Sequence, residues 1–304
     1  MMKHDDAAAL GDGFELPLST MGLPVLGPMR RLGEILAERT GLSQEGLVAI
    51  LAHAKTHGMR FGDAAVALRY ASAEDVLRAL SVQFHYACVD DAPQLASAEL
   101  PLLTRPHGPQ SEALRALRGR LARRLARAGD GRPAVAMVSP DPGDGKTFVT
   151  ANLGVAFAQA GARTLVVDAD LRGPRMHEIF ELRQRHGLSG ALLGCADGQV
   201  IQPVAAVPGL HLLAGGAMPP NPLELVERDA FGRLMRELPR HFDIVLVDTP
   251  AASYGADALA IADRCGASLL LGRRGRSALP ELRRLASDLA ECDGQALGTV
   301  INDF

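Results

Sequence analysis

Two rhythms of apolar residues divide the chain. From Arg31 they recur at helical spacing: Leu32, Ile35 and Leu36, then Leu47, Ile50 and Leu51. Ser43, followed by Glu45 and Gly46, is a plausible helix start without a full capping box. The segment beginning RLGEILAERTGL at 31 aligns with RFGDAAVALRYA at 60, pairing Arg31 with Arg60, Gly33 with Gly62, Ser43 with Ser72, Glu45 with Glu74 and Leu51 with Leu80. Each unit predicts two short helices with a turn near Thr40 or Tyr70. Residues 1–28 mix Gly, Pro and small residues without a period, so a disordered arm is expected there. Residues 29–90 form the helical repeat domain. Residues 91–110 are proline-interrupted and aperiodic and are expected to be a linker.

A further helix is expected from Ser111 to about Ala128, with Leu114, Leu117, Leu121 and Leu125 on one stripe and arginines around it. After Gly131 the rhythm changes. Short continuous apolar runs begin at Ala134, Thr164, Leu210, Ile244, Ser268 and Leu297, separated by helical segments. Such runs suit strands buried on both faces, and their alternation with helices predicts a mostly parallel α/β sheet with right-handed crossovers. The expected fold is a P-loop α/β domain over residues 111–304, preceded by the small helical domain.

Composition narrows the partners. The 304 residues are 47% hydrophobic with no Trp, so the core is aliphatic, and a net charge of -3 gives no general case for nucleic acid or anionic membrane. The arginine-rich helix near 115–127 is the one feature that favours nucleic acid, and its leucine stripe argues instead for a packed helix with a basic face. Cys88, Cys195, Cys265 and Cys292 stand far apart, which speaks against a zinc site or disulfide framework and fits a reducing compartment. His177 and His211 show no ligand spacing and are expected to be surface or satisfied core histidines. The first residues carry no signal-type apolar region, and no run reaches the roughly 18 apolar residues of a membrane helix, so a cytoplasmic protein is expected.

Three motifs carry chemistry. In AVAMVSPDPGDGKTF an apolar strand runs into a Gly/Pro loop that opens a helix at Gly145-Lys146-Thr147. Backbone N–H groups of such a loop nest phosphate oxygens, and the helix N-terminus adds partial positive charge; here the candidate loop runs through Pro142, Gly143, Asp144 and Gly145 to Phe148, with every residue but Pro142 able to donate. Lys146 is the candidate for the β- and γ-phosphates and Thr147 for Mg²⁺. Pro140 stands where the strict motif has its first glycine. The second motif, Asp168-Ala-Asp170-Leu-Arg172, follows a strand, at the edge where open α/β sheets bind ligands. Both carboxylates are candidates to face metal and γ-phosphate, and Arg172 to pair with phosphate or lock the loop. The third motif, IVLVDTP, ends a strand with Asp248, an acid suited to holding Mg²⁺.

These motifs resemble, in order and wording, those of the bacterial tyrosine kinases of capsule and exopolysaccharide export, over about Ser111 to Asn302. Glu112-x-x-Arg115-x-x-Arg118 resembles the segment through which those kinases assemble into rings. The resemblance implies an ATP- and Mg²⁺-dependent protein-tyrosine kinase controlling polymer chain length. It implies Lys146, Asp168, Asp170, Arg172 and Asp248 as catalytic residues, with Asp168 as base. Thr147, Asp170 and Asp248 would be metal ligands, and Asn302 a contact to adenine. It also implies a homo-oligomer and a membrane-anchored chain-length partner that recruits the protein to the inner membrane. Family members carry a C-terminal tyrosine cluster; here the tyrosines are Tyr70, Tyr86 and Tyr254, so tail autophosphorylation is not expected and a non-kinase ATP switch stays open. The septum-site and partitioning ATPases have a second lysine where this chain has Asp141, which speaks against that group. The paired R-[LF]-G units resemble the N-terminal domain of type II secretion ATPases, some of which bind cyclic di-GMP. That implies Arg31, Gly33, Arg60 and Gly62 as a candidate site, against the alternative of a docking module with solvated arginines.

Overall fold

The computed structural model describes residues 32–83, 97–127, 133–182, 187–195 and 199–303. The repeat folds as two helix pairs, α1 (Leu32–Thr40) with α2 (Gln44–His57) and α3 (Phe61–Ala67) with α4 (Ala73–Gln83). Ser43 caps α2 by accepting the Gly46 N–H at 3.2 Å. In the second unit Ser72 and Asp75 cap reciprocally: the Asp75 N–H reaches the Ser72 hydroxyl and the Ser72 N–H reaches the Asp75 carboxylate. Ile35, Leu36, Ile50, Ala64, Ala65, Val76 and Ala79 close a core of their own.

Part of the stretch expected to be linker is packed structure. Pro101–Thr104 forms a helical turn, α5, and the long helix α6 (Pro109–Leu125) starts inside the same stretch. Leu100 and Leu102 are buried in the second core layer beside Leu114 and Val155. Prolines mark helix starts here, because the missing N–H at a first helical position loses nothing.

The sheet has seven strands in the order β3-β4-β2-β5-β1-β6-β7. They are β1 (Ala134–Val138), β2 (Thr164–Asp168), β3 (Ile201–Pro203), β4 (Leu210–Leu213), β5 (Ile244–Asp248), β6 (Gly266–Arg273) and β7 (Gln295–Asn302). All pairings are parallel except β3 with β4. The antiparallel edge strand β3 is absent from the sequence expectation: three residues ending in Pro203 give no period to read. Helix α7 (Lys146–Gln159) joins β1 to β2 and packs on one face with α6. The short α8 (Met176–Ile179) and α9 (Leu188–Leu193) follow β2, and α10 (Pro222–Glu227) and α11 (Asp229–His241) lead into β5. Beyond it, α12 (Asp257–Cys265) and α13 (Leu279–Glu291) precede β6 and β7, with α11 and α12 on the other face. The topology inserts β5 between β1 and β2, so three segments far apart in sequence end side by side.

Candidate phosphate-binding site

The three central strands set the site. Asp168 and Asp248 are register partners at the ends of β2 and β5, and Met137 of β1 faces Asp248 across the next pairing. Two carboxylates therefore stand one strand spacing apart, each about 1% exposed. Beyond β1 the loop Ser139–Gly145 turns through Gly143 (φ 83°) and Gly145 (φ 97°), both in the left-handed region that favours glycine, before α7 begins. Pro140 fits in place of the expected glycine because its carbonyl is the group used: it accepts the Ser253 N–H at 2.9 Å.

Lys146 lies under the loop, 6% exposed, and its Nζ donates to Ser139 Oγ at 3.0 Å. Thr147 Oγ1 donates to Asp248 Oδ2 at 2.7 Å, and Thr150 reaches the other oxygen of Asp248 at 3.4 Å. Asp170 Oδ1 accepts from the Arg172 and Gly173 N–H groups. Asp168 Oδ2 accepts the Met176 N–H at 3.0 Å, while its Oδ1 is buried and has no partner among the described residues. A cleft of about 810 Å³ opens above these groups, lined among others by Pro142, Gly143, Gly145, Lys146, Thr147, Phe148, Asp170 and Arg172.

Burial dominates the electrostatics. It pushes Asp168 well above the ordinary carboxylate range, and the neighbouring Asp248 adds to the shift. It raises Asp248 to about 7, against the hydrogen bond from Thr147 and the charge of Lys146. Asp170 is raised by burial and held back by its two backbone N–H donors. Lys146 is lowered by burial, with Asp248 and Asp170 opposing. The carboxylates of Asp170 and Asp248, both held above their usual range, together with the Thr147 hydroxyl at 2.7 Å from Asp248, form a donor set that fits a divalent cation. Among the described residues no three acidic, His or Cys side chains form a metal cage.

The other candidate residues divide. The Asp144 side chain is buried and pins the loop, accepting the Asp141 N–H at 3.0 Å and the Ser277 hydroxyl at 2.7 Å, so only its backbone is free for a ligand. Arg172 is held by Asp257 through two hydrogen bonds of 3.1 and 3.0 Å, which locks the loop after β2. Asn302 Nδ2 donates to the Asp144 carbonyl at 3.1 Å, and with Phe148 it lines a second recess of about 560 Å³ between α6 and β7. On α6, Arg115 bonds Glu112 and the Pro106 carbonyl, both at 2.6 Å, and Arg118 reaches the Ala156 carbonyl at 3.3 Å.

The repeat glycines serve packing. A Cβ on Gly62 would meet Val76 at 2.6 Å, and one on Gly33 would meet Leu47 at 3.1 Å. Arg60 is exposed at the start of α3, and Arg31 lies outside the described residues. His177 and His211 are half-buried, and among the described residues the Nδ1 atom of each has no hydrogen-bond partner.

Sequence reasoning missed Ser139, Asp257, Arg273 and Ser277. The Arg273 N–H donates to Ser277 Oγ at 2.7 Å, Ser277 donates to Asp144, and the Arg273 guanidinium reaches the Gly143 carbonyl at 3.2 Å. The loop after β6 thus braces the phosphate loop. Arg175 pairs with Glu99 across the cleft rim. No local pattern announces partners this far apart.

Known proteins resemble this arrangement. The model of the CobQ/CobB/MinD/ParA nucleotide binding domain matches residues 135–303. The putative tyrosine-protein kinase EpsB of Ralstonia solanacearum is 37% identical over 197 residues, 65% of this chain and 26% of EpsB. The chain thus spans about a quarter of that relative's length. The tyrosine-protein kinase YwqD of Bacillus subtilis is 32% identical over 200 residues, 66% of this chain and 84% of YwqD. Among solved structures, the kinase domain of the Escherichia coli tyrosine kinase ETK superposes with a TM-score of 0.62 at 31% identity, covering 67% of this chain and 79% of that one.

Proposed function

Since the chain belongs to the CobQ/CobB/MinD/ParA nucleotide-binding family and to the bacterial tyrosine-protein kinases within it, we propose that it binds Mg-ATP and transfers the γ-phosphoryl group to protein tyrosine. The observation that carries the reading is the convergence of Lys146, Thr147, Asp168, Asp170 and Asp248 on the ends of three adjacent strands.

The backbone N–H groups from Gly143 to Phe148 cradle the phosphates, with Pro142 shaping the entry to the loop, and Lys146 exchanges its Ser139 partner for phosphate oxygen. Thr147, Asp170 and Asp248 would hold Mg²⁺, which when bound neutralises charge on the transferring group. Asp168 receives the tyrosine proton: burial raises its proton affinity above that of an ordinary carboxylate, and its Oδ1, without a partner among the described residues, gives the proton a place. Arg172 positions the loop through Asp257. Asn302 and Phe148, at the second recess, are the proposed contacts to the base.

The proposed setting is polysaccharide export, by analogy with the kinases it resembles, with a membrane-anchored chain-length protein as partner and Glu112, Arg115 and Arg118 at a contact between copies. Recruitment to the inner membrane from the cytoplasm by that partner is part of the proposal; among the described residues no helix is long and apolar enough to cross a membrane. We keep the helical unit of residues 29–90, with its own core, separate from the nucleotide-binding unit of residues 111–304. Nothing in the packing of Gly33 and Gly62 supports a cyclic di-GMP site, and docking is the role proposed for the helical unit.

Co-expression with the candidate partner tests the reading. Phosphotyrosine on the partner with the wild-type chain, lost with Lys146→Ala, is expected. Nucleotide binding without phosphotyrosine on the partner would leave an ATP-driven switch in place of a kinase.

A further inference from the structure

We propose that Tyr254 is a phosphoryl acceptor of its own cleft, an inference that rests on the kinase reading above. Tyr254 closes a 3₁₀ turn, Ala252–Tyr254, directly after the Asp248-Thr249-Pro250 motif. Two backbone bonds fasten that turn to the start of the phosphate loop: the Ala252 N–H donates to the Ser139 carbonyl at 3.0 Å and the Ser253 N–H to the Pro140 carbonyl at 2.9 Å. The exit of the turn is held as well. Gly255, at φ 151°, leaves room for the Arg172–Asp257 ion pair, and a Cβ there would lie 3.1 Å from Asp257 Oδ2. The turn is therefore fixed at both ends to groups that shape the phosphate site.

The side chain itself is left over. It is 52% exposed and lines the cleft with Lys146, Thr147 and Asp170. Tyrosine rings contribute to stability by burying their apolar body and bonding their hydroxyl. This ring does little of the first, and among the described residues its hydroxyl has no hydrogen-bond partner. Tyr70, the other described tyrosine, sits in the helical repeat against Gly46, and Tyr86 lies outside the described residues.

The chemistry balances without a further reactant. The Tyr254 phenolic oxygen forms a bond to the γ-phosphorus, and the bond from that phosphorus to the β,γ-bridging oxygen breaks. The electron pair leaves with ADP, and the phenolic proton passes to Asp168, as for any tyrosine substrate of the site.

The test uses the purified full chain, treated with phosphatase and then incubated with Mg-ATP, with a Glu/Tyr copolymer as external acceptor in a parallel reaction. Peptide mapping is expected to place phosphate on Tyr254 in the wild type and not in Lys146→Ala or Tyr254→Phe, at a rate unchanged on dilution. A labelled copolymer with Tyr254 unmodified, or phosphate on Tyr70 or Tyr86 instead, would overturn this proposal and leave the kinase reading standing. A rate that rises with protein concentration would overturn transfer within one chain. No label on either acceptor would sink both readings.

Discussion

The two parts of the molecule treat charge in opposite ways. In the helices of residues 32–83 no described charged side chain is buried, and the core is aliphatic and alanine-rich. Around the sheet Asp144, Lys146, Asp168, Asp248 and Asp257 are all buried, between 0% and 6% exposed. Burying a charge costs several kcal/mol unless partners repay it, and a buried ion pair is weak evidence of stability. The helical part shows what this chain does when packing alone is at stake. The sheet part departs from that rule at the ends of β1, β2 and β5 and in the loops that brace them, where Asp144 and Asp257 hold loops in place and Lys146, Asp168 and Asp248 gather at the proposed phosphate site. Glycine follows the same division: Gly33 and Gly62 let helices approach, while Gly143 and Gly145 give a loop its left-handed turns.

The comparison can be broken by substitution. The largest effect is expected from Lys146→Ala, which should reduce phosphoryl transfer by about 100- to 1000-fold, the cost of losing one preorganised charge partner of a transition state. Its melting temperature should change little by comparison, because the variant relieves one buried charge while withdrawing compensation from Asp248 and Asp170. A steady-state transfer assay with a melting curve checks both.

Leu36→Ala should do the reverse. Leu36 is fully buried in the helical core, and its truncation is expected to cost about 2–4 kcal/mol, read by chemical denaturation, with transfer unchanged. Loss of transfer in this variant would show that the two parts are coupled.

Arg172→Ala leaves the buried Asp257 carboxylate without its partner. Removing one member of a buried pair costs about 3–5 kcal/mol, and because Arg172 is 36% exposed about 2 kcal/mol is expected here, with a fall in melting temperature of about 5 °C.

A smaller effect follows from pH. The Asp248 carboxyl titrates near 7 in the folded chain and near its ordinary value of about 4 when unfolded, so the folded state holds more protons between those limits. Stability of the nucleotide-free protein should therefore fall as pH rises from about 4 to about 7. Asp168, also raised, acts in the same direction. Asp248→Asn should flatten that slope, and melting temperatures across the range would expose its absence.

The smallest effect is expected from Ser277→Ala, which frees Asp144 and slackens the phosphate loop. The change removes the Ser277 bonds to Asp144 and to the Arg273 N–H, and a net cost of about 1 kcal/mol predicts a few-fold weaker ATP affinity by calorimetry.

Much of this was legible in the sequence where physics is local. Continuous apolar runs gave six of the seven strands, and Ser43 marked its helix start. The phosphate loop, Asp168 and Asp248 stood out because a strand, a turn and a charge follow one another within a few residues. What could not be read depends on the topology. Asp257 meets Arg172 across 85 residues, Ser277 meets Asp144 across 133, and Asn302 meets Asp144 across 158. Asp257 and Ser277 look like ordinary polar residues until β5 is placed between its neighbours and β6 beside β1, while Asn302 is named by the family resemblance without this bond. Leu100 and Leu102 were hidden for a different reason, since a four-residue helix shows no period.

The most direct test of the central claim is transfer of label from γ-labelled ATP to a Glu/Tyr copolymer, comparing the wild type with Lys146→Ala and Asp168→Asn. The account predicts phosphotyrosine with the wild type and its loss in both variants, with all three proteins folded. Equal labelling by all three, or ATP bound by the wild type with no phosphotyrosine formed, would contradict it.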